Sequence, residues 1–161
     1  MANYTGADVI STSDVLKYQP DAFDFGISTT ATETTNFLAQ TTNDILRQLR
    51  IEWWPVYKTN IFTDITVLNT AEMVNTKVNL DQFERAGVYL FLGRFYLPAL
   101  TKFRPETEKD RFERMAEYYM SQYNVEWRMI LEDGVEYDVD SSGSIVANER
   151  EPLHGFRRLT R

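Results

Sequence analysis

The sharpest local pattern of oxygen-bearing side chains in the chain is Asp138-Val-Asp140-Ser-Ser142-Gly143-Ser-Ile-Val-Ala-Asn-Glu149. Its spacing fits the twelve-residue calcium loop, with oxygen ligands at the first, third and fifth positions, Gly at the sixth and Glu at the twelfth. Ca²⁺ takes six to eight hard oxygens at about 2.3–2.6 Å, and the glycine lets the chain turn sharply enough to present them. Ser142 is a neutral ligand, however, and the chain runs on to Pro152 instead of opening a helix. Acids around Ser-Gly also describe an ordinary hairpin turn. A metal-free hairpin is therefore the expectation, with Asp138, Asp140, Ser142 and Glu149 as the alternative calcium set.

Other chemistries find few residues to carry them. His154 is the single histidine and cysteine is absent, which removes disulfides, thiolate nucleophiles, Cys-based zinc sites and a triad of histidine ligands. No GxxxxGK[ST] or GxGxxG motif occurs among the seven glycines, so nucleotide phosphates have no visible cradle. Asp81 with Glu84, or Glu126, would suit general acid and base work in a small hydrolase. Such carboxylates more often sit solvated in a first helical turn. The expectation is a protein that is not an enzyme and needs no cofactor. Trp53-Trp54, and Tyr118-Tyr119 with Tyr123 and Trp127, offer stacking faces. The second group follows helical spacing and reads as core or subunit packing. Trp53 and Trp54 fall on different sides of a helix end, which predicts that one of them meets a partner.

The elements that must position these residues are mostly helices. Ser11 to Tyr18 reads as a capped short helix ended by Pro20. Phe37, Leu38, Thr41, Ile45, Leu46 and Leu49 recur at three- and four-residue spacing, predicting a helix from Thr32 to about Trp53 that Pro55 stops. Residues 57–68 read as a connector whose Ile61, Ile65 and Val67 would pair weakly as strand or lie extended. A turn at Leu68-Asn69-Thr70 and a short helix through Glu72 and Val74 follow. A stronger helix runs from Leu80 to about Pro98, with Gly87 and Gly93 permitting close approach of a neighbour. A third opens after Pro105 and stops at Gly134. The expected fold is mainly α, a small bundle of three long helices plus the N-terminal one over 1–134. A β-hairpin at 135–149 and an extended basic segment at 150–161 complete one domain overall.

Composition narrows the function classes. The 161 residues are 43% apolar and 14% aromatic, enough for a core and too apolar for a largely disordered chain. With 17 bases against 24 acids, the net charge of -7 argues against wrapping phosphates over the whole surface. Met-Ala-Asn-Tyr shows no signal peptide, and no run is long enough to span a membrane. Charge is unevenly spread: residues 150–161 carry four arginines and one acid, net +3, while the other 149 residues are net -10. The basic segment places Leu153, Phe156 and Leu159 three apart between Pro152 and Arg161. It cannot build a core of its own.

The order of these features resembles the head-to-tail adaptor proteins of tailed bacteriophages. The resemblance rests on Ser13-Asp14-Val15 with Tyr18, on Ile45-Leu46-Arg47-Gln48-Leu49-Arg50 before Trp53-Trp54, and on the Leu68-Asn69 turn. Tyr89-Leu90-Phe91-Leu92, Tyr119 with Tyr123, Glu126-Trp127, and Gly134-Val135-Glu136-Tyr137-Asp138 before the arginine-bearing segment extend it over most of the chain. It implies a structural virion protein whose helices build a dodecameric ring beneath the portal. The protein would join the capsid to a downstream neck or tail protein, leaving a channel through which DNA passes without sequence-specific binding. Its C-terminal extension would dock on the portal protein through Leu153, Phe156, Arg157, Arg158, Leu159 and Arg161. The place implied is the virion neck, and the host cytoplasm during assembly, with no membrane partner. Acids facing the channel would repel phosphate and let the genome slide. The alternative is a calcium-dependent protein-binding module organised by residues 138–149.

Overall fold

A computed structural model describes residues 8–25, 27–101, 111–145 and 149–151. The described chain is mainly helical. It divides into two compact units, one holding Asp8–Asp44 and Phe83–Trp127, the other Ile45–Gln82 and the described residues of 128–151.

In the first unit, α1 (Thr12–Tyr18) opens with a capping box. The Ser11 hydroxyl accepts from the Asp14 amide, and the Asp14 carboxylate accepts from the Ser11 amide at 2.9 Å. Two orphan donors of the helix start are satisfied at once. Lys17 then bridges Asp14 at 2.6 Å and Glu84 at 3.3 Å, and Val15 is fully buried. In α2 (Thr32–Glu52) the threonines that lower intrinsic helix propensity bond main-chain carbonyls instead. Thr34 donates to Ser28 and Thr41 to Phe37, each at 2.8 Å, and both are buried.

The helix expected over 80–98 is compound. A 3₁₀ turn (Leu80–Phe83) leads to α5 (Glu84–Leu90), a π-helical stretch (Phe91–Tyr96) and α6 (Leu97–Leu100). Pro98 lies in α6, directly after the π stretch. The last long helix, α7, is Arg111–Asp133; Pro105 lies outside the described residues. Inside the first unit the π stretch packs on α7 at Gly93. A Cβ there would lie 2.9 Å from both Met120 Cγ and the Met120 amide nitrogen. Phe37 stacks on Phe95, Arg94 pairs with Asp44 at 3.4 Å, and Arg85 pairs with Glu126 at 3.5 Å.

The second unit departs most from the sequence reading. Residues 57–68 are not extended. They form α3 (Trp54–Ile61) and α4 (Ile65–Thr70). α2 ends at Glu52, ahead of Pro55 as expected; Pro55 also lies in the first turn of α3, which has no use for its N–H, and the Asp64 side chain caps α4 through the Thr66 amide at 2.8 Å. These local signals outweigh the strand preference of Ile61, Ile65 and Val67. Asn69 and Thr70 close α4 instead of turning before a helix, and Glu72 to Val74 belong to no helix, leading to a 3₁₀ turn (Asn75–Lys77). After α7, Gly134 adopts φ 107°. Two short strands then pair antiparallel, β1 (Val135–Glu136) with β2 (Arg150–Glu151), Val135 opposite Glu151 and Glu136 opposite Arg150.

Candidate functional site

The residues between β1 and β2 make the candidate site, and the second unit fixes them from below. Tyr137 bridges Val78, and its amide donates to the Glu149 carbonyl at 3.1 Å. Its ring lies 5.7 Å from Trp53 and 5.3 Å from Trp54, and its hydroxyl accepts from the Val74 amide at 3.1 Å. Burial pushes the Tyr137 phenol above its ordinary pKa, against the lowering by Val74. Lys77 reaches over from the 3₁₀ turn. Its ammonium donates to the Val139 carbonyl at 2.6 Å, while its own carbonyl accepts from the Asp138 amide at 2.9 Å.

On this base the loop folds around its own carboxylates. Asp138 accepts from the Ser142 amide at 3.0 Å and the Gly143 amide at 2.8 Å. Glu149 accepts from the Val139 amide at 2.9 Å. Asp140 accepts from Ser142 at 2.9 Å, and hydrogen bonds from Ser142 hold its carboxyl below the usual range. Positive φ at Ser141 (62°) and Gly143 (77°) makes the turn. Asp138 and Glu149 are only 4% and 3% exposed, and one oxygen of each lies with one of Asp140 inside 4.8 Å. Three carboxylates at that separation repel one another. Carboxylate oxygens converging in this way are the hard donor type that Ca²⁺ takes.

The sequence therefore identifies Asp138, Asp140 and Glu149 as neighbours; Ser142 contributes its amide to both aspartates. The residues that sequence reasoning missed are Lys77 and Arg150. Arg150 pairs with Asp133 and, at 3.6 Å, with Glu136, tying down the chain where the basic segment begins. Lys77 lies some sixty residues from the loop, and no spacing rule announces it.

Trp53 and Trp54 need correcting as partner contacts. They are 1% and 6% exposed. The break between α2 and α3 turns both indoles into one aromatic cluster, where Trp53 stacks on Tyr57 at 4.2 Å. Tyr119, Tyr123 and Trp127 are buried, as helical spacing suggests, while Tyr118 is 59% exposed. Of the hydrolase candidates, Glu84 pairs with Lys17 and Glu126 with Arg85, and Asp81 is exposed. Leu153, Phe156, Arg157, Arg158, Leu159 and Arg161 lie outside the described residues. Comparison of the chain with protein-family models, with curated proteins and with solved structures finds no match.

Proposed function

We propose that the protein is a non-enzymatic head-to-tail adaptor of a tailed bacteriophage, a subunit of a ring that docks on the portal and leads to the next neck or tail component. The observation that carries this reading is the anchoring of Arg150 and Glu151 by β1, Asp133 and Glu136. Directly beyond that anchor the chain has three arginines, no acid and the apolar residues Leu153, Phe156 and Leu159. A basic segment tethered at its root and unable to form its own core gains order by entering an acidic groove on a partner. Phe156 is the apolar anchor, and Arg157, Arg158 and Arg161 clamp carboxylates. In this reading α2, α5 to α6 and α7 form the bundle of the ring wall. The body of net charge -10 gives DNA a channel it does not stick to.

Mass photometry of the protein with a portal ring of the same virus tests the proposal. Stoichiometric loading that disappears when the chain is cut after Glu151 supports it; no loading by the full chain rejects it. A monomeric protein without portal does not, because such rings can assemble on their template.

The carboxylate triangle favours a second reading, a calcium-ordered binding module. Here Asp138, Asp140 and Glu149 hold Ca²⁺, which orders residues 138–149 to meet a partner. Calorimetric titration separates the readings. A dissociation constant in the millimolar range or tighter, abolished by Asp138→Asn with Glu149→Gln, is expected of a real site. An absence of heat at millimolar Ca²⁺ discards it.

A further inference from the structure

A cleft of about 590 Å³ opens in the second unit beside Trp54. One wall is the end of α2 and α3, with Arg50 and Lys58; the other is the non-helical chain at Ala71 to Val74. The Trp54 indole donates to the Ala71 carbonyl at 3.3 Å, which holds the two walls together at one end. At the other, the Arg50 guanidinium donates to Asn75 Oδ1 at 2.7 Å.

Two features of this cleft point to an occupant. Ala71 and Val74 are extended, with φ and ψ of -68° and 123°, and of -91° and 114°. Side chains alternate as on a strand edge: Glu72 and Val74 are exposed and Met73 is buried. Among the described residues the main-chain N–H and C=O groups of Glu72 and Met73 make no hydrogen bond. Such an edge offers an incoming extended chain its hydrogen bonds. The second feature is charge. In a protein of net charge -7, neither Arg50 nor Lys58 has a carboxylate partner among the described residues.

We infer that this cleft docks an extended, carboxylate-bearing segment of a partner protein. Its main chain pairs with Glu72 and Met73, an apolar side chain covers the exposed Val74, and carboxylates meet Arg50 and Lys58. Among the described residues Glu72 is the only acid lining the cleft, so an acidic strand meets two cations against one anion. The same balance rejects the chain's own Arg157, Arg158 and Arg161. The inference is independent of the adaptor reading, since it uses neither the basic segment nor the portal.

The test is fluorescence anisotropy of the full chain with three labelled probes: a peptide of about eight residues alternating Glu and Ile, its Lys and Ile counterpart, and an oligothymidylate of similar length. The acidic peptide is expected to bind, and Arg50→Gln with Lys58→Gln to weaken it by about tenfold or more. Lys58→Gln alone removes a side chain with no ion pair among the described residues and should weaken binding in the same direction. N-methylation of the peptide main chain should also weaken it. Failure of the acidic peptide to bind, equal binding of the basic peptide or the oligothymidylate, or retention of affinity by Lys58→Gln and the double variant overturns the inference. So does self-association in sedimentation that Lys58→Gln abolishes, because a second copy would then be the occupant.

Discussion

Two single side chains carry much of the local order. Tyr137 fills the aromatic cluster and also receives the Val74 amide, so Tyr137→Phe keeps the ring packing and leaves that donor without a partner. A loss of about 1–3 kcal/mol in urea unfolding is expected. Asp14 sets the acid response of α1. Burial acts to raise its pKa, but hydrogen bonds from Lys17 and Ser11 outweigh it and leave the carboxyl below the ordinary aspartate value of 3.8. A depressed folded pKa means stability that is present above 3.8 and lost as pH falls through the folded value. Asp14→Asn should remove this part of the acid dependence. It should also cost up to about 1 kcal/mol at neutral pH by weakening the charged half of the capping box and the Lys17 pair, read from unfolding curves between about pH 2 and 7. At this scale the candidate loop was legible because its ligands are close in sequence. The spacing of Asp138, Asp140, Ser142, Gly143 and Glu149 lies within twelve successive residues, whereas Lys77 and the buried state of Trp54 depend on folding partners far along the chain.

Among the elements, α2 and α7 were legible because their apolar residues hold one period for five or six turns, long enough to outvote threonine and tyrosine. Helices α3 and α4 were not, being short and rich in β-branched residues, and their signals are single residues, Pro55 and Asp64. The π stretch lies between these cases. Gly93 announced a close approach, but nothing in the sequence distinguishes a π turn from the α turns around it. Substituting Gly93→Ala sets two effects against each other. Alanine's better helix propensity is worth about 1 kcal/mol. Against it stand contacts of 2.9 Å and 3.0 Å with the Met120 amide and the Ala116 carbonyl, main-chain atoms that yield only if α7 shifts. Overpacking of this kind costs about 1–3 kcal/mol. A lower Tm is therefore expected, and a rise would mean that α7 accommodates the methyl group.

For the whole molecule, the separation of charge gives the two associations proposed for an adaptor opposite responses to salt. Bodies of net charge -10 repel when copies come together, whereas the basic segment beyond Glu151 is attracted to an acidic groove. Raising ionic strength from about 0.1 to 1 M shortens the screening length from about 10 to 3 Å. Contact between bodies should strengthen and docking of Arg157, Arg158 and Arg161 should weaken. Replacing those three arginines by glutamine should flatten the salt dependence of docking without changing that of self-association. Phe156→Ala should weaken docking equally at both ionic strengths, since apolar burial is not screened. Mass photometry of the protein alone and on a portal ring at the two salt concentrations reads both terms. If loading on the portal rises with salt, the arginines are not its clamps, and apolar contacts of the body must hold the ring in place.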